Sequence, residues 1–331
     1  MASLLLLSAK NGAAWLVVSI LLWNEPSTTL HPGQKNENMR FKPEHWRSIL
    51  FVPVDNPKFI QKAKLVDADA IQLDLEDGIA PANKAAARAC VAEAARALRD
   101  AGKSVSVRIN HPLDLAVRDI EMAVSQQVAV LALPKIAGAA HVQLIEELVE
   151  RCELKAGMEV GSTRFIVAVE TLSAYYDLRN IASSSPRIMG LMLGGEDFAQ
   201  ECGCEPSEEV MGGLKQQMIL AARAAQVRPL GYLGSLSNFR DLTEFEAMAR
   251  RSRAYGFDGA TCIHPDQVAI VNRVFGVSDS ELAYARRVVE QAAVANREGK
   301  AAFAVNGGMV DKPIVERAKQ VLLRAALYES P

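Results

Sequence analysis

Six separated stretches of the chain are apolar, β-rich runs, and most end in a charged or amide group: Arg47–Pro53, Ala70–Asp77, Ser104–Asn110, Ala129–Lys135, Arg164–Glu170 and Ile188–Asp197. A near-continuous apolar run is what a strand buried on both faces requires, and such burial occurs mostly in parallel sheets. Two weaker runs, Val227–Leu233 and Phe257–His264, bring the number to eight, with amphipathic stretches between them. Strict alternation implies parallel strands joined by right-handed crossovers. Eight such units in 331 residues predict an α/β fold, a closed (β/α)8 or TIM barrel with extra C-terminal helices. A doubly wound open sheet is the alternative. In a barrel, polar residues at the carboxyl ends of the strands lie at the mouth, where the chemistry is placed.

The spacing of apolar residues predicts helices over Asn56–Val66, Lys84–Arg99, Leu115–Val124, Ala140–Leu154, Ser173–Ile181, Glu208–Ala225 and Leu242–Tyr255. Asp55 is the expected cap of the first, whose apolar face carries Phe59, Ala63 and Val66, and Gly102 closes the second. Beyond the eighth strand stand two more helices, Asp279–Arg297 and Lys312–Leu327, separated by the turn-rich segment Val305–Pro313. The expected division is an N-terminal extension (1–38), the barrel (39–275) and a helical C-terminal extension (276–331) that forms a lid or oligomer arm. Residues 1–23 are apolar but interrupted by Lys10 and Asn11, leaving about half of the roughly 20 residues a membrane helix needs. The early positive charge of a secretory signal is also missing. The extension is therefore set aside, with Met39 the expected start of translation, and membrane attachment is not expected.

Net charge is -2 and no basic stripe occurs, which argues against a nucleic-acid partner. Five cysteines with no repeated spacing argue against a disulfide framework and fit a reducing, cytoplasmic compartment. Cys202 and Cys204 form C-x-C rather than the C-x-x-C of zinc or redox sites, and read as plain thiols. The five histidines form no H-x-x-x-H pair, and neither glycine-rich phosphate-loop pattern is present.

Glu170 and Asp197 end the fifth and sixth runs, which are neighbours in a barrel. Adjacent strands lie about 4.8 Å apart, so the two carboxylates can share one hard divalent cation such as Mg2+. That ion takes one or two carboxylates and fills its shell with water and substrate. Pairing with a barrel Lys or Arg is the other use of such acids. Arg108 ends the third run on the same face, where its planar fork suits a carboxylate or an enolate oxygen. A salt bridge to Glu76 or Asp77 across the mouth is compatible with that role. Lys135 contacts an anionic cofactor or neutralises the acids. Arg47 begins its strand, which favours a structural role at the opposite face, and His264, followed by Pro265, caps a strand.

These residues sit in an ordered series of motifs: RSILFVP (47–53), LDLEDGIAP (73–81), VRIN (107–110), LPK (133–135), VAVET (167–171), LGGEDF (193–198), GFDGATCIHPDQV (256–268) and NGGMVDKP (306–313). The series resembles the citrate lyase β-subunit family of the pyruvate/phosphoenolpyruvate superfamily. The resemblance implies a Mg2+-dependent carbon–carbon lyase that cleaves or condenses a citryl, citramalyl or malyl thioester of coenzyme A or an acyl-carrier protein. It implies a trimer or hexamer, with Glu170 and Asp197 as metal ligands, Glu170 also at the substrate, and Arg108 as the substrate-binding arginine. By the same resemblance, Asp311 matches a tail aspartate that in some relatives reaches a neighbouring subunit's site as acid or base. Gly195 and Thr171 depart mildly from the family pattern; Gly308 replaces its usual tail lysine, and Lys312 follows the aspartate. Two alternatives remain at this level: a thioesterase on the same fold, and a subunit active only within a complex.

Overall fold

The computed structural model describes residues 42–235 and 240–329. Expectations for residues 1–38 fall outside the described residues. Eight parallel strands form one sheet: β1 (Ser48–Pro53), β2 (Ala70–Asp74), β3 (Ser104–Arg108), β4 (Val130–Leu133), β5 (Arg164–Val169), β6 (Ile188–Leu193), β7 (Arg228–Pro229) and β8 (Ala260–Cys262). They pair in the order β7-β6-β5-β4-β3-β2-β1-β8. A parallel bridge between Leu230 and Gly259, with Asp258 N–H donating to Pro229 O and Gly231 N–H to Gly259 O, both at 2.9 Å, joins β7 to β8. The sheet is thus a closed barrel, as expected.

Strand side chains alternate between two environments. Leu50, Val52, Ile71, Leu73, Val105, Val107, Leu131 and Leu133 point outward into the large core beneath the helices. Ile49, Ala70, Val130, Ile166, Met189 and Leu230 point inward with Trp46 and fill the lower barrel. Above them Ser106 Oγ donates to Gln72 Oε1 at 3.3 Å, both residues buried. One step further along the same period-2 rows stand Asp74 and Arg108. The barrel is therefore a packed interior, apolar below and charged at the mouth.

The helices are α1 (Pro57–Ala63), α2 (Lys84–Asp100), α3 (Leu113–Ala123), α4 (Ala139–Lys155), α5 (Leu172–Tyr176), α6 (Leu178–Ala182), α7 (Gly195–Cys202), α8 (Glu208–Ala224), α9 (Leu242–Tyr255), α10 (Pro265–Phe275), α11 (Asp279–Arg297) and α12 (Lys312–Glu329). Several differ from expectation for identifiable reasons. Asn56, not Asp55, caps α1, accepting from the N–H groups of Lys58 and Phe59. That shifts the buried face to Ile60 and Ala63 and leaves Phe59 45% exposed. The helix expected over Ser173–Ile181 breaks at Asp177 into α5 and α6. Asp197 does not end a strand: β6 stops at Leu193, and the carboxylate rides the first turn of α7.

The eighth helix, α10, had no counterpart in the sequence reading. His264 caps it, not a strand, in a box closed by Gln267, with Pro265 at the first position. Likewise the turn-rich segment before α12 is a hairpin, β9 (Phe303–Val305) and β10 (Gly308–Val310). Its turn is Asn306-Gly307, both at positive φ, the chemistry a tight two-residue hairpin demands.

The C-terminal extension has a small core of its own, Ala285, Val288, Val305, Val310 and Ala318. It also returns to the barrel. Tyr328 Oη donates to His45 O at 2.7 Å, and Arg47 stacks over its ring at 4.2 Å. Arg47, immediately before β1, is itself locked to Asp69, which gives it a structural role at the lower face. Among the described residues no helix is long and apolar enough to cross a membrane.

Candidate active site

Asp74 and Arg108 are register partners on β2 and β3. Arg108 Nε and Nη2 donate to the two Asp74 oxygens at 2.7 and 2.8 Å, a bidentate fork. Its Nη1 lies 2.8 Å from Glu76 Oε2 and 3.9 Å from Asp77, while the guanidinium lies over the Phe51 ring at 4.7 Å. Burial works against the Arg108 charge, yet Asp74, Glu76 and Asp77 raise its pKa further above the usual range. Burial also pushes the Asp74 carboxyl up, but the guanidinium overrides this and holds it below the ordinary carboxylate value. Arg108 is thus a fixed cation at the mouth.

Asp74 was not singled out from sequence, where the expected partners were Glu76 and Asp77. The signal was present: Asp74 is two residues from the inward Gln72. The chain reverses tightly after it, its side chain accepting from the N–H groups of Glu76 and Gly78, both at 3.0 Å. A Cβ on Gly78 would stand 2.5 Å from Asp74 Oδ2, so only glycine allows this turn. Lys84 Nζ binds the carbonyls of Leu75 and Glu76 from behind.

Lys135 ties this group to the next. It sits at φ 47, strained for a residue with a side chain. That conformation turns its N–H onto Glu170 Oε2 at 2.7 Å. Its Nζ reaches Glu76 at 3.0 Å, Asp77 at 3.7 Å and Asp197 at 3.8 Å. Partial burial opposes its charge, but the three acids raise its pKa. Glu170, 9% exposed, lies directly over Gly194, where a Cβ would come within 2.4 Å of its Cγ and Oε1. Burial pushes the Glu170 carboxyl up to about 7, the charges of Glu76 and Asp197 adding to it against the Lys135 N–H. Burial likewise raises Glu76, partly offset by Arg108 and Lys135.

The structure therefore brings Arg108, Glu76, Asp77, Lys135, Glu170 and Asp197 together, and adds Asp74 and the glycines. Asp311 is not among them. It precedes α12 beyond the hairpin, and its carboxylate makes no hydrogen bond or ion pair among the described residues.

These residues suit a hard divalent cation. Five carboxylates (Asp74, Glu76, Asp77, Glu170, Asp197) face two cations, so the cluster is short of positive charge, and Glu170 is driven toward its neutral form by burial first and by the charges of Glu76 and Asp197 in addition. No group of three or more His, Cys, Asp or Glu side chains among the described residues is arranged to hold a metal ion by itself. A magnesium ion, which keeps waters and binds through one or two carboxylates, needs none.

Comparison with known proteins places the chain by sequence and fold. A family described as HpcH/HpaI aldolase/citrate lyase matches residues 47–265, and one described as a C–C bond lyase of the TIM-barrel fold matches residues 236–329. The citrate lyase subunit beta of Leuconostoc mesenteroides subsp. cremoris is 31% identical over 291 residues, covering 87% of this chain and 93% of the relative. The L-malyl-CoA/beta-methylmalyl-CoA lyase of Cereibacter sphaeroides is 32% identical over 308 residues, covering 86% and 96%. Among solved structures, protein CitE from Mycobacterium tuberculosis in complex with magnesium, acetoacetate and coenzyme A superposes with a TM-score of 0.67 at 30% identity, covering 85% of this chain and 98% of that one. By its sequence, the chain belongs to the HpcH/HpaI aldolase/citrate lyase family.

Proposed function

We propose that the chain is a Mg2+-dependent carbon–carbon lyase that cleaves, or in reverse condenses, a 3-hydroxy-acyl thioester such as a malyl, citramalyl or citryl thioester. The products are a keto acid and a smaller acyl thioester. The observation that carries this reading is the pairing of Glu170 and Asp197 through Lys135, beside an immobilised Arg108. Relatives named citrate lyase subunit beta and malyl-CoA lyase, and a relative solved with magnesium and coenzyme A, support it.

Glu170 and Asp197 would hold the ion, which supplies Lewis-acid polarisation of the substrate's hydroxyl and carboxylate when bound. The chain's own groups do the rest. Arg108, braced by Asp74 and Glu76, has N–H donors left over and stabilises the enolate oxygen that develops as the C–C bond breaks. Its rigidity matters, because donors that need no reorganisation act most strongly on developing charge. Lys135 keeps Glu170 and Asp197 oriented. Asp311, whose carboxylate is unengaged among the described residues, is assigned the proton transfer at the enolate carbon from a second copy, in a trimer or hexamer. Five free cysteines fit a reducing, cytoplasmic setting.

The test is product analysis with a panel of hydroxyacyl-CoA thioesters, with and without Mg2+. Release of glyoxylate or pyruvate that stops on chelation is expected. Free malate and thiol instead would establish a hydrolase, and turnover that survives both Glu170→Ala and Asp197→Ala would discard the metal reading.

A further inference from the structure

One buried cation has no part in the chemistry just described. Lys215, on the inner side of α8, is 3% exposed, and its Nζ donates to the Leu233 carbonyl at 2.6 Å in the segment after β7. The same Nζ would stand 3.7 Å from a Cβ built on Gly195, the first residue of α7. The first turn of that helix carries Glu196 and Asp197. Two residues past Leu233, Ser235 Oγ donates to Glu196 Oε1 at 2.5 Å. The start of α7 is therefore bonded to the segment after β7 at the surface, through Ser235 and Glu196, while the buried ammonium, bonded to Leu233 and attracted by Glu196, packs beneath Gly195. Gly194, immediately before this turn, is the floor on which Glu170 lies.

An ammonium in this position is costly. Burial lowers the Lys215 pKa to about 8, against the attraction of Glu196 and Glu208. A methionine of similar length fills the same space with no charge to desolvate. Charge kept where an apolar side chain packs at lower cost points to a role other than stability.

Resting on the magnesium reading above, we propose that Lys215 is a positioning residue for the metal site: held by the Leu233 carbonyl and packed beneath Gly195, it supports the first turn of α7, so that Asp197 is presented on the same side of Gly194 as Glu170. Lys215 touches neither metal nor substrate. Its loss leaves both carboxylates present but lets the α7 turn drift, and metal affinity falls before chemistry does.

The experiment is Mg2+ titration of the full-length protein by calorimetry at pH 7.5, for wild type, Lys215→Met and Lys215→Gln. Thermal melts without metal, and kcat and the KM for Mg2+, are measured alongside. Lys215→Gln keeps a donor for the Leu233 carbonyl and so tests the idea even where the methionine variant fails to fold. A tenfold or greater loss of Mg2+ affinity is expected in each folded variant. In Lys215→Gln, which keeps a donor for the Leu233 carbonyl, the metal-free melting temperature stays near wild type and kcat largely recovers at saturating Mg2+. Wild-type affinity in a folded variant overturns the proposal; so does a lowered melting temperature with unchanged affinity, the mark of a purely structural lysine. Absence of any Mg2+ binding by the wild-type protein sinks the metal reading itself, a separate outcome.

Discussion

Glu170 is the residue on which the site turns. Its ordinary value is 4.5, and in the fold it rises to about 7. The folded state therefore holds a proton that the unfolded chain has lost. The resulting stability is fully present below pH 4.5 and disappears as pH climbs through 7, a change on the order of 3 kcal/mol. Metal-free protein should lose stability between pH 5 and 7.5, and Glu170→Gln should remove its share of that slope; urea denaturation at a series of pH values checks this. Mg2+ takes only the ionised carboxylate, so its affinity should rise about tenfold per pH unit up to 7 and then level off. Titration calorimetry in buffers of different ionisation enthalpy should show close to one proton released at pH 6. Gly194→Ala drives a methyl group into Glu170. It should destabilise the fold by about 1–3 kcal/mol and abolish metal-dependent turnover.

At the level of elements, β2 and β3 act as one unit because Asp74 and Arg108 share a register position. Breaking a buried pair from one side strands the remaining charge, at about 3–5 kcal/mol. Asp74→Ala should show a smaller loss in urea denaturation, about 1–3 kcal/mol, because Glu76 still pairs with Arg108 Nη1. It should also lower kcat at saturating Mg2+ with little change in metal affinity, since Arg108 remains but is no longer braced by Asp74. The strands themselves were legible because each is buried on both faces and reads as an apolar run. Their ends were not. Asp197 was placed on a strand because no side-chain period marks where Gly194-Gly195 turns into a helix. The missed helix α10 and hairpin β9-β10 did carry local signals, the His264-Pro265-Asp266-Gln267 box and Asn306-Gly307, which were passed over in favour of periodicity.

For the whole molecule, the C-terminal extension is more than an addition. Tyr328 and Arg324 bind His45 and Asp258 at the lower end of the barrel. Tyr328→Phe removes one buried hydrogen bond and should lower stability by about 1 kcal/mol, with catalysis unchanged. Asp311 lies just before α12, at the opposite end of that helix from Tyr328, and its carboxylate has no partner among the described residues. If it serves a second copy, Asp311→Asn and Glu170→Gln will each be nearly inactive. Mixing and reassembling them will then recover a fraction of the activity, because some sites inherit both intact residues. No recovery from a mixture shown by native mass spectrometry to have exchanged subunits counts against a shared site.

The residues alone determined the alternation of strands and helices, the inward and outward faces, and the gathering of acids and an arginine at one end. These depend on local periodicity and on burial, which a linear pattern records. Tertiary structure decided which of those groups meet. Asp74 in place of Asp77 as the main partner of Arg108, the strained Lys135 that joins Glu76 to Glu170, and the buried Lys215 beneath α7 all come from chain reversals and cross-strand register. Such contacts join residues tens of positions apart, and their distances depend on how the loops close, a quantity that no local pattern of hydrophobicity encodes.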